Sequence, residues 1–306
     1  MERREVVRMS EFSISIRGSF SLRESARFIT GWPPAEGIAL ASGSDLRLAF
    51  VRDGYRGHAG VWLRHENGTV RCELTGARDV AAVSKQTARI LSLDHDAGDY
   101  PAVGERDPAI GRLQREHHGL RPVLFHSPYE AAAWSIISAR VQPTRALATR
   151  GRLSRELGAV LDVRGQEMAA FPLPERLLEL DSFPGLPDEK VRRLRGIADA
   201  ALSGELDAEK LRSMPREEAL TQLRTLRGIG PFYSTLILVR AAGARDELPA
   251  GEPRFREAVR DAYGLDEVPD EATVSALAEG WRPYRSWVAA LIRVSASRPL
   301  VVSPSQ

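Results

Sequence analysis

The chain contains 306 residues, of which 43 are Lys or Arg and 41 are Asp or Glu, so its formal net charge at pH 7 is +2. Hydrophobic residues make up 43% and charged residues 27%, a composition that excludes an intrinsically disordered chain. The length predicts two domains or one elaborate domain. Because Cys72 is the single cysteine, an intrachain disulfide, a four-cysteine zinc site and a cysteine-ligated iron–sulfur cluster are excluded.

Lysine is rare in this chain, because Lys85, Lys190 and Lys210 are its only examples and arginine supplies the other 40 of the 43 basic residues. A GC-rich genome is sufficient to explain this bias. The six histidines all lie within the first 126 residues. Any chemistry in the C-terminal part must therefore proceed without histidine and with very little lysine.

The N-terminal segment MERREVVRMS is charged and has no apolar stretch of the signal-peptide type. No apolar run reaches the length of about 18 residues that a membrane-spanning helix needs. We therefore expect an intracellular, cytoplasmic protein with no membrane association.

The first hundred residues have the pattern of a β-rich domain. Phe12, Ile14 and Ile16 alternate with polar residues, as in a half-buried strand. The segments on either side of Asn67-Gly68 predict a β-hairpin over residues 60–75, since Asn-Gly favours a type I′ turn. A stretch rich in Pro, Gly and Asp over residues 95–109 then marks a domain boundary.

The remaining pattern is helical. Ser127-Pro128-Tyr129-Glu130 forms a predicted capping box before the apolar run AAAWSII. Further helices are predicted at 187–204, 215–226, 231–242 (ending at Gly243), 254–263, 271–280 and 283–296. The fold class is therefore α+β, with an N-terminal antiparallel β-rich domain over residues 1–105 and an all-α bundle over residues 106–306. Within the bundle, two helices joined by a short hairpin span about 216–242.

The sequence Leu-Arg-Gly-Ile-Gly-Pro at 226–231 separates the two helices of this pair. Its glycines permit a tight hairpin and a close approach of the backbone to a ligand. The unpaired N–H groups at the start of the next helix favour an anion such as a phosphate. A plain helix–helix turn without a ligand is the alternative interpretation of this segment.

Four further segments, before and after the hairpin in the chain, belong to the same pattern. They are the segments at 86–94 (QTARILSLD), 119–122 (GLRP), 183–187 (FPGLP) together with Lys190, and 281–286 (WRPYRS). Over roughly residues 85–295 the chain resembles the helix-hairpin-helix (HhH-GPD) DNA glycosylase superfamily, and it is most similar to the AlkA-type 3-methyladenine DNA glycosylase II group. The resemblance implies a base-excision-repair enzyme that flips alkylated purines out of double-stranded DNA and hydrolyses their N-glycosidic bond.

The resemblance also implies a catalytic carboxylate, which the family supplies as an aspartate six residues after another aspartate. Counting from Asp246, this position is Glu252, so glutamate replaces the usual aspartate. The carboxylate would stabilise an oxocarbenium-like sugar and orient a water molecule. The alternative for Glu252 is a solvated loop residue in a catalytically weak or inactive relative that binds damaged DNA without excising bases. Asp246 and Glu257 are weaker candidates for the catalytic role.

The family members with lyase activity carry a lysine just after the hairpin, and Phe232 occupies the matching position here. The resemblance therefore implies a monofunctional enzyme. Phe232, with Tyr233 and Trp134 behind it, is the predicted base pocket, because electron-rich rings attract a cationic base. Core packing is the alternative for Trp134. Arg293 stands where the family has a pocket aromatic, and its charge would repel an alkylated base unless a carboxylate or a phosphate binds it.

Predicted DNA contacts come from the hairpin amides and from a few arginines. The hairpin contributes Arg227, Gly228, Ile229 and Gly230, whereas Arg140 either enters the base stack or minor groove or contacts a phosphate. Clustering of Arg140, Arg145 and Arg227 on one face would make an electrostatic footprint.

The last two predicted DNA contacts, Arg282 and Arg285, have helix capping as their alternative role. The resemblance further implies a monovalent cation, Na⁺ or K⁺, held by backbone carbonyls near Gly228 and Gly230. We expect no other cofactor, a monomer and a nucleoid location. A third hypothesis makes the helical part an interaction module with no DNA function.

Overall fold

The computed structural model describes residues 10–29, 38–40, 45–248 and 253–296. A five-stranded antiparallel sheet forms first, with the strand order β1-β5-β4-β3-β2. Its strands are β1 (Ser10–Ser15), β2 (Ile38–Leu40), β3 (Asp45–Val51), β4 (His58–Glu66) and β5 (Thr69–Thr75). The β-rich N-terminal region predicted from the sequence is confirmed.

The predicted hairpin is the β4–β5 pair. Asn67 and Gly68 have φ values of 43° and 78°, as a type I′ turn requires, and Glu66 lies opposite Thr69. One face of the sheet packs on α1 (Leu22–Ile29) and α2 (Val80–Ile90).

Twelve further α-helices follow within the described residues. They are α3 (Pro101–Arg106), α4 (Pro108–Glu116), α5 (Pro128–Ser138), α6 (Pro143–Leu157), α7 (Pro174–Leu178), α8 (Asp188–Leu202), α9 (Ala208–Ser213), α10 (Arg216–Thr225), α11 (Pro231–Ile237), α12 (Pro253–Tyr263), α13 (Glu271–Glu279) and α14 (Arg285–Ala296). A π-helical turn, Leu238–Ala242, continues α11 to Gly243, which has a φ of 86°. No helix of the described residues combines the length and hydropathy that a membrane span needs.

The stretch at 95–109 contains the starts of two helices, and the predicted boundary between residues 105 and 106 lies at the last residue of α3. Pro101 and Pro108 occupy the first positions of α3 and α4, and the Asp107 carboxylate accepts hydrogen bonds from the N–H groups of Ala109 and Ile110. The prolines and the aspartate therefore begin helices here, although the same residues are also typical of loops.

The expectation of an all-α second part is wrong at one place, where β6 (Ala159–Val163) and β7 (Gln166–Ala170) form a hairpin. Its turn residues Arg164 and Gly165 have φ values of 53° and 79°. Arg-Gly is a weaker turn pattern than Asn-Gly, which explains why the sequence did not indicate a hairpin. Its side chains pack with those of β3 and β4 in a small core formed by Ala49, Trp62, Val163, Met168 and Ala170.

Helix α5 lies at the centre of the main helical core, which explains its nearly continuous apolar sequence. The Ser127 Oγ accepts the N–H of Glu130 at 3.2 Å, as the predicted capping box requires. The Glu130 carboxylate does not complete the box. It accepts hydrogen bonds from the Val51 N–H at 3.2 Å and from Arg150 at 2.7 Å, and it therefore joins α5 to the sheet and to α6.

Candidate nucleic-acid interface

The segment Leu226–Gly230 forms a tight turn between α10 and α11. The Ile229 N–H donates to the Leu226 carbonyl at 2.9 Å, and the Ile229 side chain is buried. Arg227 and Gly228, at the tip of the turn, are exposed. The predicted helix-hairpin-helix is therefore present, with an apolar anchor and an exposed tip.

The two glycines of the hairpin have different surroundings. Gly228 has a φ of 96°, and a Cβ there would lie 2.8 Å from Ile136 Cδ1 and 3.1 Å from Arg193 Cδ. At Gly230, by contrast, no described atom outside the two neighbouring residues lies within 4 Å of the position of a Cβ. Gly228 thus serves the packing of the turn, whereas Gly230 leaves room for a ligand to approach the backbone.

Helix α11 begins immediately after Gly230 and has no acidic residue in its first turn. Pro231 has no N–H, and the Ser234 N–H donates to the Gly230 carbonyl at 2.9 Å. The N–H groups of Phe232 and Tyr233 have no partner inside the helix, since they belong to its first turn. These amides, beside the open space at Gly230, can donate hydrogen bonds to an anion.

Of the residues predicted to form the base pocket, Phe232 and Tyr233 lie in contact, whereas Trp134 is buried in the core. Phe232 is 45% exposed and lies edge-on to Tyr233, with ring centroids 5.3 Å apart. Tyr233 packs against the core that contains Trp134, which is 7% exposed. Trp134 therefore has the environment of a core residue, while Phe232 presents a free ring beside the hairpin.

Arg293 lies in the last turn of α14 and is partly buried. Helix α14 packs on α4 and α12, whereas Phe232 lies on α11. Glu252, the predicted catalytic carboxylate, lies outside the described residues. Glu257 is exposed on α12, which fits a solvated face.

Arg140 follows α5 in an uncommon conformation. Ala139 has φ and ψ of −54° and 119°, Arg140 has a φ of 57°, and the Val141 N–H donates to the Ser138 carbonyl at 3.1 Å. These values define a type II turn, whose third residue is usually glycine. Arg140 is exposed, so the turn projects a guanidinium from the end of α5.

The two turns are neighbours, because Ile136 of α5 limits the space at Gly228 and Arg140 follows the same helix. Arg145, in the first turns of α6, is also exposed. The predicted set of Arg140, Arg145 and Arg227 therefore lies on adjoining elements around the C-terminal end of α5.

Arg282 and Arg285 bind the segment that precedes the undescribed loop. Arg282 Nη1 lies 2.9 Å from Asp246 Oδ2, and Arg285 Nε lies 3.0 Å from Asp246 Oδ1. Arg282 also binds Glu279, with Nε 2.8 Å from Oε2. These ion pairs favour a structural role for both arginines over the predicted DNA contact.

Lys190 and Arg193 also belong to this region, and the sequence predicted no role for either residue. Lys190 Nζ donates to the carbonyl oxygens of Ile137 and Ala139 at 2.7 and 2.8 Å. Burial and the neighbouring charge of Arg193 lower the pKa of Lys190 below its ordinary value. The single clue in the sequence was the position of Lys190 in one of the ordered segments of the resemblance.

No family model matches the chain. It is 24% identical over 202 residues to the DNA-3-methyladenine glycosylase of Bacillus subtilis (strain 168), covering 64% of this chain and 66% of the relative. It is 28% identical over 274 residues to a Mycobacterium tuberculosis (strain ATCC 25618 / H37Rv) protein named "Probable bifunctional transcriptional activator/DNA repair enzyme AlkA", covering 84% of this chain and 53% of the relative. The chain thus spans about two thirds and about half of these relatives.

Two solved structures are similar over nearly the whole chain. The 3-methyladenine DNA glycosylase of Archaeoglobus fulgidus has a TM-score of 0.75 and 22% identity, covering 92% of this chain and 96% of that one. The Clostridium acetobutylicum 8-oxoguanine glycosylase/lyase, in complex with DNA, has a TM-score of 0.70 and 16% identity, covering 95% of this chain and 97% of that one.

The fold is therefore that of the helix-hairpin-helix DNA glycosylases. Within that class the chain is similar in sequence to proteins named DNA-3-methyladenine glycosylase and AlkA.

Proposed function

We propose that the chain is a monofunctional DNA glycosylase of base excision repair that removes alkylated purines of the 3-methyladenine type from double-stranded DNA. The observation that carries this proposal is the hairpin, where open space at Gly230 adjoins the exposed ring of Phe232. The names of the Bacillus subtilis and Archaeoglobus fulgidus proteins support the substrate class.

DNA binding begins at the backbone. The amides at Gly230 and at the start of α11 bind a phosphate, and the arginines at the end of α5 add positive charge. Arg140 enters the duplex at the lesion, where its planar guanidinium replaces the stacking of the extruded base. The protein acts as a monomer in this scheme, since one chain supplies both turns.

The extruded base then meets the exposed ring of Phe232. An alkylated purine carries positive charge, so the face of the ring attracts it more strongly than a neutral purine. Charge therefore selects the substrate, and the same charge makes the base a good leaving group.

Hydrolysis breaks the bond between sugar C1′ and the base nitrogen, and the electron pair departs with the base, which becomes neutral. The Glu252 carboxylate stabilises the positive sugar and accepts a proton from water, whose oxygen bonds to C1′. The products are the free base and an abasic site. Phe232 replaces the lysine that lyase chemistry requires, so no Schiff base forms and the strand stays intact.

A monovalent cation near the hairpin is compatible with the backbone there. The carbonyls of Leu226 and Gly230 each accept one hydrogen bond, from Ile229 and Ser234. Each oxygen keeps a second lone pair that a Na⁺ or K⁺ ion can use. The ion would neutralise part of the DNA phosphate charge, and no other cofactor belongs to the proposal.

A substrate panel tests the proposed activity. Duplexes containing methylated purines, hypoxanthine, uracil or ethenoadenine are incubated with the protein, and released bases are separated by chromatography. We expect release of the methylated purines, with strand breaks that appear only after alkali treatment. Tight binding to methylated DNA without release of any base would instead support a damage-binding protein, and breaks without alkali would contradict the monofunctional assignment.

A further inference from the structure

The carbonyl groups at the C-terminal end of α5 need hydrogen-bond donors from outside the helix. The last four carbonyls of a helix have no N–H partner inside it. Ser138 O accepts the Val141 N–H at 3.1 Å. The carbonyls of Ile137 and Ala139 accept from Lys190 Nζ at 2.7 and 2.8 Å. Lys190 therefore places a cation at the negative end of the α5 dipole.

The hydrogen bond from Lys190 to the Ala139 carbonyl also affects the conformation of the turn that follows α5. A type II turn differs from a type I turn mainly in the orientation of its central peptide, which here joins Ala139 to Arg140. The carbonyl of that peptide is the one that Lys190 binds. Lys190 thus favours the form of the turn in which Arg140 has a φ of 57°, although an L side chain disfavours that conformation.

Helix α8 carries Lys190 and also reaches the hairpin. Arg193, almost one helical turn after Lys190, has its Cδ 3.1 Å from where a Gly228 Cβ would lie. Arg193 Nε in turn binds Glu189 Oε1 at 3.0 Å. One helix therefore contacts both turns of the interface, and it sets the position of Arg140 relative to the hairpin.

We propose that Lys190 is a positioning residue for DNA distortion: by binding the Ala139 carbonyl, it holds the Ser138–Val141 turn in the form that projects Arg140 into the duplex. This inference rests on the proposed function, because it assigns Arg140 a place in the DNA. Lys190 does not touch the reacting atoms and acts through Arg140.

The test uses a duplex with an abasic-site analogue flanked by 2-aminopurine, whose fluorescence rises when it unstacks. We expect Lys190→Met to lower the equilibrium constant for unstacking by about tenfold, which corresponds to the loss of hydrogen bonds from a charged donor. Lys190→Arg keeps the cation and should restore most of the signal. Lys210→Met, at an exposed lysine on α9, is the matched control and should equal the wild type.

A double-mutant cycle separates positioning from general stability. In an Arg140→Ala background, Lys190→Met should cause no further loss of unstacking, because the side chain that it positions is gone. A merely structural role would lower the signal by the same factor with and without Arg140. If Lys190→Met does not fold, Lys190→Gln, which keeps one donor group, replaces it in the cycle.

The outcomes also distinguish this inference from the proposed function. If the wild type unstacks 2-aminopurine but releases no alkylated base, the glycosylase assignment fails and the role of Lys190 stands. Unchanged unstacking in Lys190→Met, equal losses in both backgrounds, or no unstacking by the wild type would each overturn the inference.

Discussion

The two turns at the interface both contain a residue with positive φ, but they use it differently. In the hairpin this residue is Gly228, where a Cβ would lie 2.8 Å from Ile136 Cδ1 and 3.1 Å from Arg193 Cδ. In the turn after α5 it is Arg140, whose side chain is exposed. The difference shows two purposes of the same backbone conformation. Glycine allows close packing and backbone contact, whereas a non-glycine residue held there presents a side chain at a defined angle.

The largest expected effect concerns α5, the helix that precedes the Arg140 turn and contacts the hairpin at Gly228. Glu130 anchors α5 through Arg150, at 2.7 Å, and through His126 Nδ1, at 3.4 Å. We expect Glu130→Gln to lower the free energy of unfolding by about 3 kcal/mol, since it removes a buried carboxylate that binds the buried Arg150. Denaturant unfolding measures this change. A loss below about 1 kcal/mol, which is typical of an exposed ion pair, would contradict a stabilising role of the Glu130–Arg150 pair for α5.

The same pair predicts a pH dependence. Burial acts to raise the pKa of Glu130, but His126 and Arg150 outweigh it and hold the pKa below its ordinary value. A carboxyl whose pKa is lowered by folding stabilises the protein above its unfolded-state pKa and loses this contribution as the pH falls through the folded-state pKa. The difference in stability between wild type and Glu130→Gln should therefore shrink as the pH falls through the folded-state pKa of Glu130. A difference that grows in acid would contradict the sign.

The second prediction separates packing from backbone strain in the hairpin. Gly228→Ala should lower the free energy of unfolding by about 2 kcal/mol or more, because it adds both a strained φ and a clash. Gly204 has a φ of 79° but open space around it, so Gly204→Ala provides the matched control with strain alone. Thermal unfolding of the two variants gives the comparison. Equal losses would show that contact with Ile136 and Arg193 does not matter.

The third prediction concerns Gly230, where the space is open. Gly230→Ala should change the stability by less than about 0.5 kcal/mol. It should nevertheless weaken duplex binding about tenfold, or 1.4 kcal/mol, because the new methyl group meets the phosphate. Fluorescence anisotropy at fixed salt measures the affinity. Unchanged affinity would favour a plain helix–helix turn.

The smallest expected effect is a gain in stability at Arg140. Arg140→Gly removes the strain of the left-handed conformation and should stabilise the protein by about 0.5 kcal/mol, after the entropy cost of glycine. The same variant should reduce 2-aminopurine unstacking, because the side chain is lost. Loss of stability in Arg140→Gly would show that the turn does not hold Arg140 under strain.

The sequence predicted these elements unevenly, for physical reasons. The cap at Ser127 and the Asn67-Gly68 turn are local patterns, and both were correct. The β6–β7 hairpin was missed because its Arg164-Gly165 turn has only a weak pattern. Local patterns of this kind identify an element only where the turn or cap chemistry is distinctive.

The sequence predicted which segments form the site, but it did not predict the contacts between residues that are distant in the chain. The sequence indicated Arg140 and the hairpin, but neither the conformation of Arg140 nor the bond from Lys190, 51 residues from Ala139, could be deduced. The pairing of Arg282 and Arg285 with Asp246 likewise joins residues that are 36 and 39 positions apart in the sequence. The roles of Glu252, Phe232 and Arg293 remain predictions.

The most direct measurement for the central claim is the rate of 3-methyladenine release from methylated duplex DNA under single-turnover conditions, with duplex affinity measured in parallel. We predict release by the wild type, and a loss of at least about 100-fold in Glu252→Gln with the affinity unchanged, since in the proposed mechanism the removed charge stabilises only the transition state. Release at the wild-type rate by Glu252→Gln, or no release by the wild type, would contradict it.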